Sequence, residues 1–219
     1  MSKISDAIKA RKKRESEQRI KTIYEASKKL FFEKGYTKTT MDDICVEAQL
    51  SKPTIYQYFK NKDALYFSFM IPIIEDTAKQ SLVIERKLRA GQYLTGKAFM
   101  KDVFKSFWHT YKVDPEAFLI VFLFQQTGMV WKLDDHTRSS IVEKGKLNYE
   151  IARRVFTLAM KMGLIKKIDE YHIVDILWGS FQGLVHLMTI KFRGKEIEPH
   201  LTKIMNTMEN IYVDSICIK

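Results

Sequence analysis

The chain has 219 residues, 46% hydrophobic and 29% charged, with 37 Lys and Arg against 26 Asp and Glu and a formal net charge of +11. Two cysteines far apart in sequence, Cys45 and Cys217, exclude a disulfide-stapled scaffold and fit a reducing cytoplasm. The longest apolar run, Ala117 to Phe124, falls far short of the roughly 18–20 residues that span a bilayer, and no apolar segment follows the N-terminal charges as it would in a secretory leader, so no membrane is expected.

The charge is unevenly placed. The first 62 residues carry 15 basic and 8 acidic side chains, which leaves only +4 for the rest of the chain. A basic face draws in nucleic acid by counterion release, although charge alone would equally suit RNA or an anionic lipid surface. Residues 1–18 read as a separate basic arm, with Lys9, Arg11, Lys12, Lys13 and Arg14 ahead of the first helix. Such an arm either only adds solubility or lies along a DNA backbone or in its minor groove. Arg19 to Lys34 is an amphipathic helix with Ile20, Ile23, Ala26, Leu30 and Phe31 on one side, and Gly35 supplies its stop.

The segment from Thr39 to Lys62 carries the most information. Thr40 is a good N-cap, and Asp43 three residues on completes a capping-box variant; Met41, Ile44, Cys45 and Ala48 then follow helical spacing. Gln49 and Leu50 form the turn. Ser51 caps the next helix, and Pro53 falls in its first turn, where a missing N–H costs nothing. Ile55 and Phe59 point inward at i, i+4, which leaves Lys52, Thr54, Tyr56, Gln57, Tyr58 and Lys60 to face out. Small, hydroxyl, basic and aromatic groups on one short helix are what entry into a major groove requires.

Taken in register, Ile23-Tyr-Glu-Ala26, Leu30-Phe31, Lys34-Gly35-Tyr36, Thr39 to Ile44, Ala48, Leu50-Ser51-Lys52, Thr54-Ile55-Tyr56, Tyr58-Phe59 and Lys62 to Leu65 resemble the N-terminal domain of TetR-family transcriptional regulators. Two positions depart from that pattern. Gln49 stands where the family usually has Gly, and a non-Gly residue at positive φ costs about 1 kcal/mol. Pro53 stands where a small residue is common, and it removes one backbone donor. The resemblance implies a DNA-binding set of Thr39, Thr40, Ser51, Lys52, Pro53, Thr54, Tyr56, Gln57, Tyr58 and Lys62. Among these, Lys52, Tyr58 and Lys62 would hold phosphates and Thr54, Tyr56 and Gln57 would approach bases.

Beyond residue 67 the pattern stays helical, with few Gly and Pro and no alternating strands. Helices are expected near 62–88, 95–112, 115–130, 134–162, 169–192 and 197–216. The fold class is therefore all-α: a three-helix helix-turn-helix domain over 19–66 and a larger effector-binding and dimerisation domain over 67–219. At about 150 residues the second part can bury a core of its own. Its aromatic groups, Phe107, Phe156 and Trp178 among them, either pack as plain core or line an apolar cavity. The candidates for ligand contact are Phe104, Trp108, Tyr111, Phe122, Gln125 and Trp131.

In the resembled family the last two helices pair with their symmetry mates. Ile176, Phe181, Leu184 and Met188 on one, and Met205, Met208 and Tyr212 on the other, are the corresponding candidates, with Gly179 and Gly183 allowing close approach. One short reading helix sees too few bases for useful specificity, which also favours a two-fold dimer.

No nucleophile–base constellation, Gly-rich phosphate loop or metal-ligand spacing is present, so neither enzyme chemistry nor a cofactor is expected. The function implied is a cytoplasmic, ligand-responsive regulator, a repressor that binds a palindromic double-stranded DNA operator as a homodimer and is released by a small, largely apolar effector. The alternatives are a non-specific nucleic-acid-binding protein and an activator of the same fold.

Overall fold

A computed structural model describes residues 3–119, 129–132, 135–192 and 196–218. These form helices α1 (Lys3–Lys34), α2 (Met41–Ala48), α3 (Lys52–Tyr56), α4 (Lys62–Ser68), α5 (Met70–Arg89), α6 (Gly96–Val113), α7 (Asp135–Lys161), α8 (Glu170–Lys191) and α9 (Glu198–Ile216). Residues 115–119 add a helical turn and Met129–Lys132 a 3-10 turn; there is no β-strand among the described residues. The chain divides into two compact units, Met1–Phe69 and Met70–Lys219.

In the first unit the basic arm is not separate from the first helix. α1 starts at Lys3 and runs without a break through the expected start at Arg19. Pairs at i, i+4, Arg11 with Glu15 at 2.7 Å and Lys13 with Glu17 at 3.9 Å, favour the helical form of this solvated stretch. From Ile23 onward the helix has a core side. Ile23, Ala26, Leu30 and Phe31 are buried, and Phe31 meets Tyr66 edge-on at 5.1 Å.

The turn between α2 and α3 is left-handed at Gln49, with φ 53 and ψ 38, so the residue standing in place of Gly carries backbone strain. The Leu50 N–H donates to Cys45 O at 3.1 Å, closing the end of α2.

The expected 62–88 helix is divided at Phe69. Pro72 gives the reason. It could not continue a helix that needed its N–H, but it fits the first turn of a new one.

In the second unit α5 packs on α6 and α7, α8 on α7, and α9 on α6 and α8. Phe99, Met100, Leu177, Phe181 and Leu201 are fully or almost fully buried, and Phe107 stacks on Phe181 at 5.3 Å. The Lys166 N–H donates to Ile216 O at 2.8 Å and the Ile218 N–H to Leu164 O at 3.2 Å, tying the end of α9 beside the residues that follow α7. Gly96 opens α6 at this junction, where an added Cβ would overlap the Leu164 carbonyl.

α8 is long and apolar enough to cross a membrane, with a mean hydropathy of 1.4 over its apolar window. Its buried face, Ile173, Val174, Leu177, Phe181, Val185 and Met188, is instead core of this unit.

Candidate nucleic-acid interface and effector cavity

The reading face is built from the cap outward. The Thr40 hydroxyl accepts from Asp43 N–H at 3.0 Å while the Asp43 carboxylate accepts from Thr40 N–H at 2.9 Å, so the capping box closes both ways. Those bonds from Thr40, with Lys34 beside it, hold the Asp43 carboxyl below its usual range. Ser51 caps α3 by accepting from Thr54 N–H at 3.4 Å. Ile55 and Phe59 are buried, so the opposite side of the segment is presented to solvent. Ser51, Lys52, Pro53, Tyr56, Gln57 and Lys60 are exposed, and Thr54 and Tyr58 are half-buried. Lys52 reaches back to Asp42 at 2.7 Å. The hydrogen bond and the negative charge raise its already high pKa, so it stays an ammonium.

Two of the sequence-derived DNA candidates sit differently. Thr39 is fully buried, and its hydroxyl donates to the backbone, with Leu30 O at 3.2 Å and Gly35 O at 2.9 Å. Its side chain locks the end of α1 and does not face solvent. Lys62 turns inward as well. Its ammonium donates to Tyr36 O and Thr39 O, both at 2.8 Å, and lies 4.3 Å over the Tyr36 ring. Burial lowers its pKa. Two of its three donors therefore hold the 36–39 loop in place, and the Tyr36 hydroxyl bonds the neighbouring Asp63.

The second unit contains an apolar cavity of about 260 Å³. Its walls come from α5, α6, α7 and α8, with Ile73, Val103, Phe107, Phe156, Leu177 and Trp178 as the large apolar contributors. Phe107, Phe156 and Trp178 belong to the aromatic set read from sequence, but the six chosen ligand candidates fare otherwise. Phe104 and Tyr111 are buried core and do not line the cavity. Trp108 packs on Tyr111 at 5.5 Å, and Trp131 is 74% exposed. Phe122 and Gln125 lie outside the described residues. Helical periodicity marks a residue as inward but does not say whether it meets another side chain or a void. The polar lining, Thr77, Ser81, Ser106, Asn148 and Tyr149, therefore has no signature in the spacing. Asn148 spends its amide on Ile74 O at 2.9 Å, pinning α7 to α5.

The dimerisation candidates divide in the same way. Phe181, Met188, Met205 and Met208 are buried within the chain, Leu184 and Tyr212 are half-buried, and Ile176 is exposed. What α8 leaves uncovered is a stripe of Ile176, Gly179, Gly183, Leu187 and Ile190, with Ile190 60% exposed and nothing within 4 Å of a Cβ added at either glycine.

A first unit of four helices with a capped, exposed α3, and a larger helical unit with an apolar cavity, are the parts a helix-turn-helix regulator needs. Residues 23–69 match the model of the bacterial regulatory proteins, tetR family. That match lies within the first unit and covers under a quarter of the chain.

Among curated relatives, the HTH-type transcriptional regulator YuxN of Bacillus subtilis is 37% identical over 67 residues, which is 31% of this chain but only 23% of YuxN. YhgD of the same organism is 27% identical over 152 residues, 69% of this chain and 74% of that protein. Among solved structures, the regulator FadR from B. subtilis in complex with stearoyl-CoA superposes with a TM-score of 0.60 at 19% identity, covering 84% of this chain and 95% of that one, a likeness of fold.

Proposed function

We propose that this protein is a ligand-responsive transcriptional repressor that binds a palindromic double-stranded DNA operator as a homodimer and leaves it when a small, largely apolar effector occupies the second unit. The observation that carries the reading is the set of exposed Lys52, Pro53, Tyr56 and Gln57 on a helix fixed from behind by Ile55 and Phe59. Lys52 supplies phosphate charge, and Thr54, Tyr56 and Gln57 supply groups able to address base edges. The exposed α8 stripe supports pairing with a second copy, its two glycines letting helix backbones approach.

The effector end is supported by the cavity and by its place in the chain. Met70, Ile73, Ile74 and Thr77, on the first two turns of α5, line the cavity, and Met70 directly follows the last residue of the DNA-reading unit. A ligand that repacks these residues acts on the connection between the units and so favours one spacing of two reading heads over another. The stearoyl-CoA held by FadR on a similar fold agrees with an apolar effector.

The test is a gel-shift competition at fixed salt with operator fragments from the gene's own upstream region. A palindromic duplex should outcompete random duplex by roughly 10³ or more. Equal competition would establish the non-specific alternative instead. Light scattering should give the mass of two chains, and a monomer at micromolar concentration would remove the dimer from the proposal.

A further inference from the structure

The apolar cavity does not close inside the unit. Val142, Gly145 and Tyr149 line it and also line an adjoining opening. Glu150 and Arg153 carry that opening on into a surface groove edged by Arg89, Arg154 and Lys161. The chemistry changes sharply along this path. No charged side chain lines the cavity among the described residues, whereas the groove holds four cations facing Glu150 and Glu170.

Two of those cations already share one counter-charge. Arg89 and Arg154 both bind the buried Glu85, at 2.7 Å and 3.1 Å. Arg153 and Lys161 have no carboxylate within ion-pair distance among the described residues. The Arg153 guanidinium lies 4.0 Å over the Tyr171 ring and 5.6 Å over that of Tyr149, and its Nε is buried with no acceptor. The two rings hold the guanidinium at the mouth without supplying a counter-charge, which leaves a preorganised fork of the kind that takes a carboxylate or phosphate.

We infer that the effector is an amphiphile whose acyl tail passes Gly145 into the cavity and whose anionic head, a carboxylate or a phosphate, sits on Arg153 at the mouth. This deepens the proposed effector site and rests on it. The Tyr149 phenol, lying between the two zones, is kept protonated by burial and by the charge of Asp175, so it meets the head group as a neutral donor. Gly145 lines both the cavity and its opening. An added Cβ there meets nothing within 4 Å, so the helix tolerates a side chain that blocks the passage.

The experiment measures binding of four probes to the intact protein by calorimetry and thermal shift: palmitate, palmitoyl-CoA, CoA alone and the neutral hexadecanol. At least one of the two anionic lipids should bind about tenfold or more tighter than hexadecanol, the scale of one charge-assisted contact. Arg153→Gln should remove that advantage and leave hexadecanol affinity unchanged, which a merely structural role for Arg153 would not do. Gly145→Leu should abolish binding of all lipids while melting at or above the wild-type temperature, because replacing a helical glycine favours the fold.

Binding of hexadecanol as tightly as both anionic lipids, indifferent to Arg153→Gln, would overturn the head-group assignment and leave the cavity reading standing. CoA alone binding as well as palmitoyl-CoA would overturn the tail assignment. No shift with any lipid would overturn this inference together with the effector site itself.

Discussion

The reading unit and the cavity unit carry function in opposite ways. In the first, the groups that matter are presented by short-range devices: Thr40 and Asp43 close a cap three residues apart, Ser51 caps Thr54, and Gln49 turns the chain between them. In the second, what matters is space left between residues as distant as Met70 and Trp178, and a guanidinium whose counter-charge is missing. A binding surface made of side chains that point out is robust to packing detail. A cavity depends on every neighbour failing to fill it. The two units should therefore respond differently to substitution, and four measurements separate them.

The largest effect is expected at the pivot of the reading face. Ile55 is fully buried behind α3, and Ile55→Ala should cost about 2–5 kcal/mol in urea unfolding of the first unit. Operator binding should be lost while effector binding to the second unit persists. Loss of both would show that the units do not behave separately.

Next comes Glu85, the buried carboxylate under the groove. Its bonds to Arg89 and then Arg154 hold its pKa below the ordinary carboxylate value despite burial. A depressed acid stabilises the fold above the unfolded pKa and loses that contribution as pH falls through the folded one. Glu85→Gln should therefore cost roughly 1–3 kcal/mol at pH 7. The gap from wild type should hold down to about pH 5 and close below about pH 4. A gap that is flat from pH 7 to pH 3 would show that shape, and not charge, makes the contribution.

A smaller effect separates two lysines that sequence treats alike. Lys62→Ala breaks two hydrogen bonds to the 36–39 loop and should cost about 1–2 kcal/mol of first-unit stability, with little change in the salt dependence of DNA binding. Lys52→Ala, at an exposed position, should leave stability intact and lower the salt slope by about one phosphate's share. The reverse pattern would return Lys62 to phosphate contact, the role its sequence position suggests.

The smallest change is a gain. Gln49→Gly relieves a left-handed residue and should stabilise the first unit by about 0.5–1 kcal/mol with operator affinity unchanged. A chevron or melt with no gain would mean that Gln49 makes a compensating contact.

These cases also show how far the sequence could be read. Caps, the turn at Gln49, and the inward Ile44, Ala48, Ile55 and Phe59 are encoded within a few residues, and each sits where spacing placed it. The side-chain types of Thr39 and Lys62 suit phosphates. Their partners, Leu30 O and Gly35 O for one and Tyr36 O and Thr39 O for the other, are backbone carbonyls that no side-chain pattern announces. Phe104 and Phe107 are three residues apart on α6 and equally aromatic, yet only Phe107 borders the cavity. That distinction belongs to how α5, α7 and α8 meet, which periodicity does not encode. The head of α5 shows the opposite case, since Pro72 was visible all along as a reason for the helix to restart.

The unbroken run of α1 from Lys3 bears on how far this protein's footprint on DNA can extend. An α-helix with its side chains is about 10–12 Å across, and the minor groove of B-DNA is about 6 Å wide. While it stays helical, the stretch bearing Lys9, Arg11, Lys12, Lys13 and Arg14 is too thick to thread that groove, and its cations would reach the sugar–phosphate rails from outside it. At 1.5 Å per residue, Lys9 stands roughly 21 Å along the axis from the first core residue, Ile23. That is the length of about six base pairs at 3.4 Å each. Any protection it confers would therefore appear as sequence-blind shielding of the flanks, outside the bases that the reading helix selects.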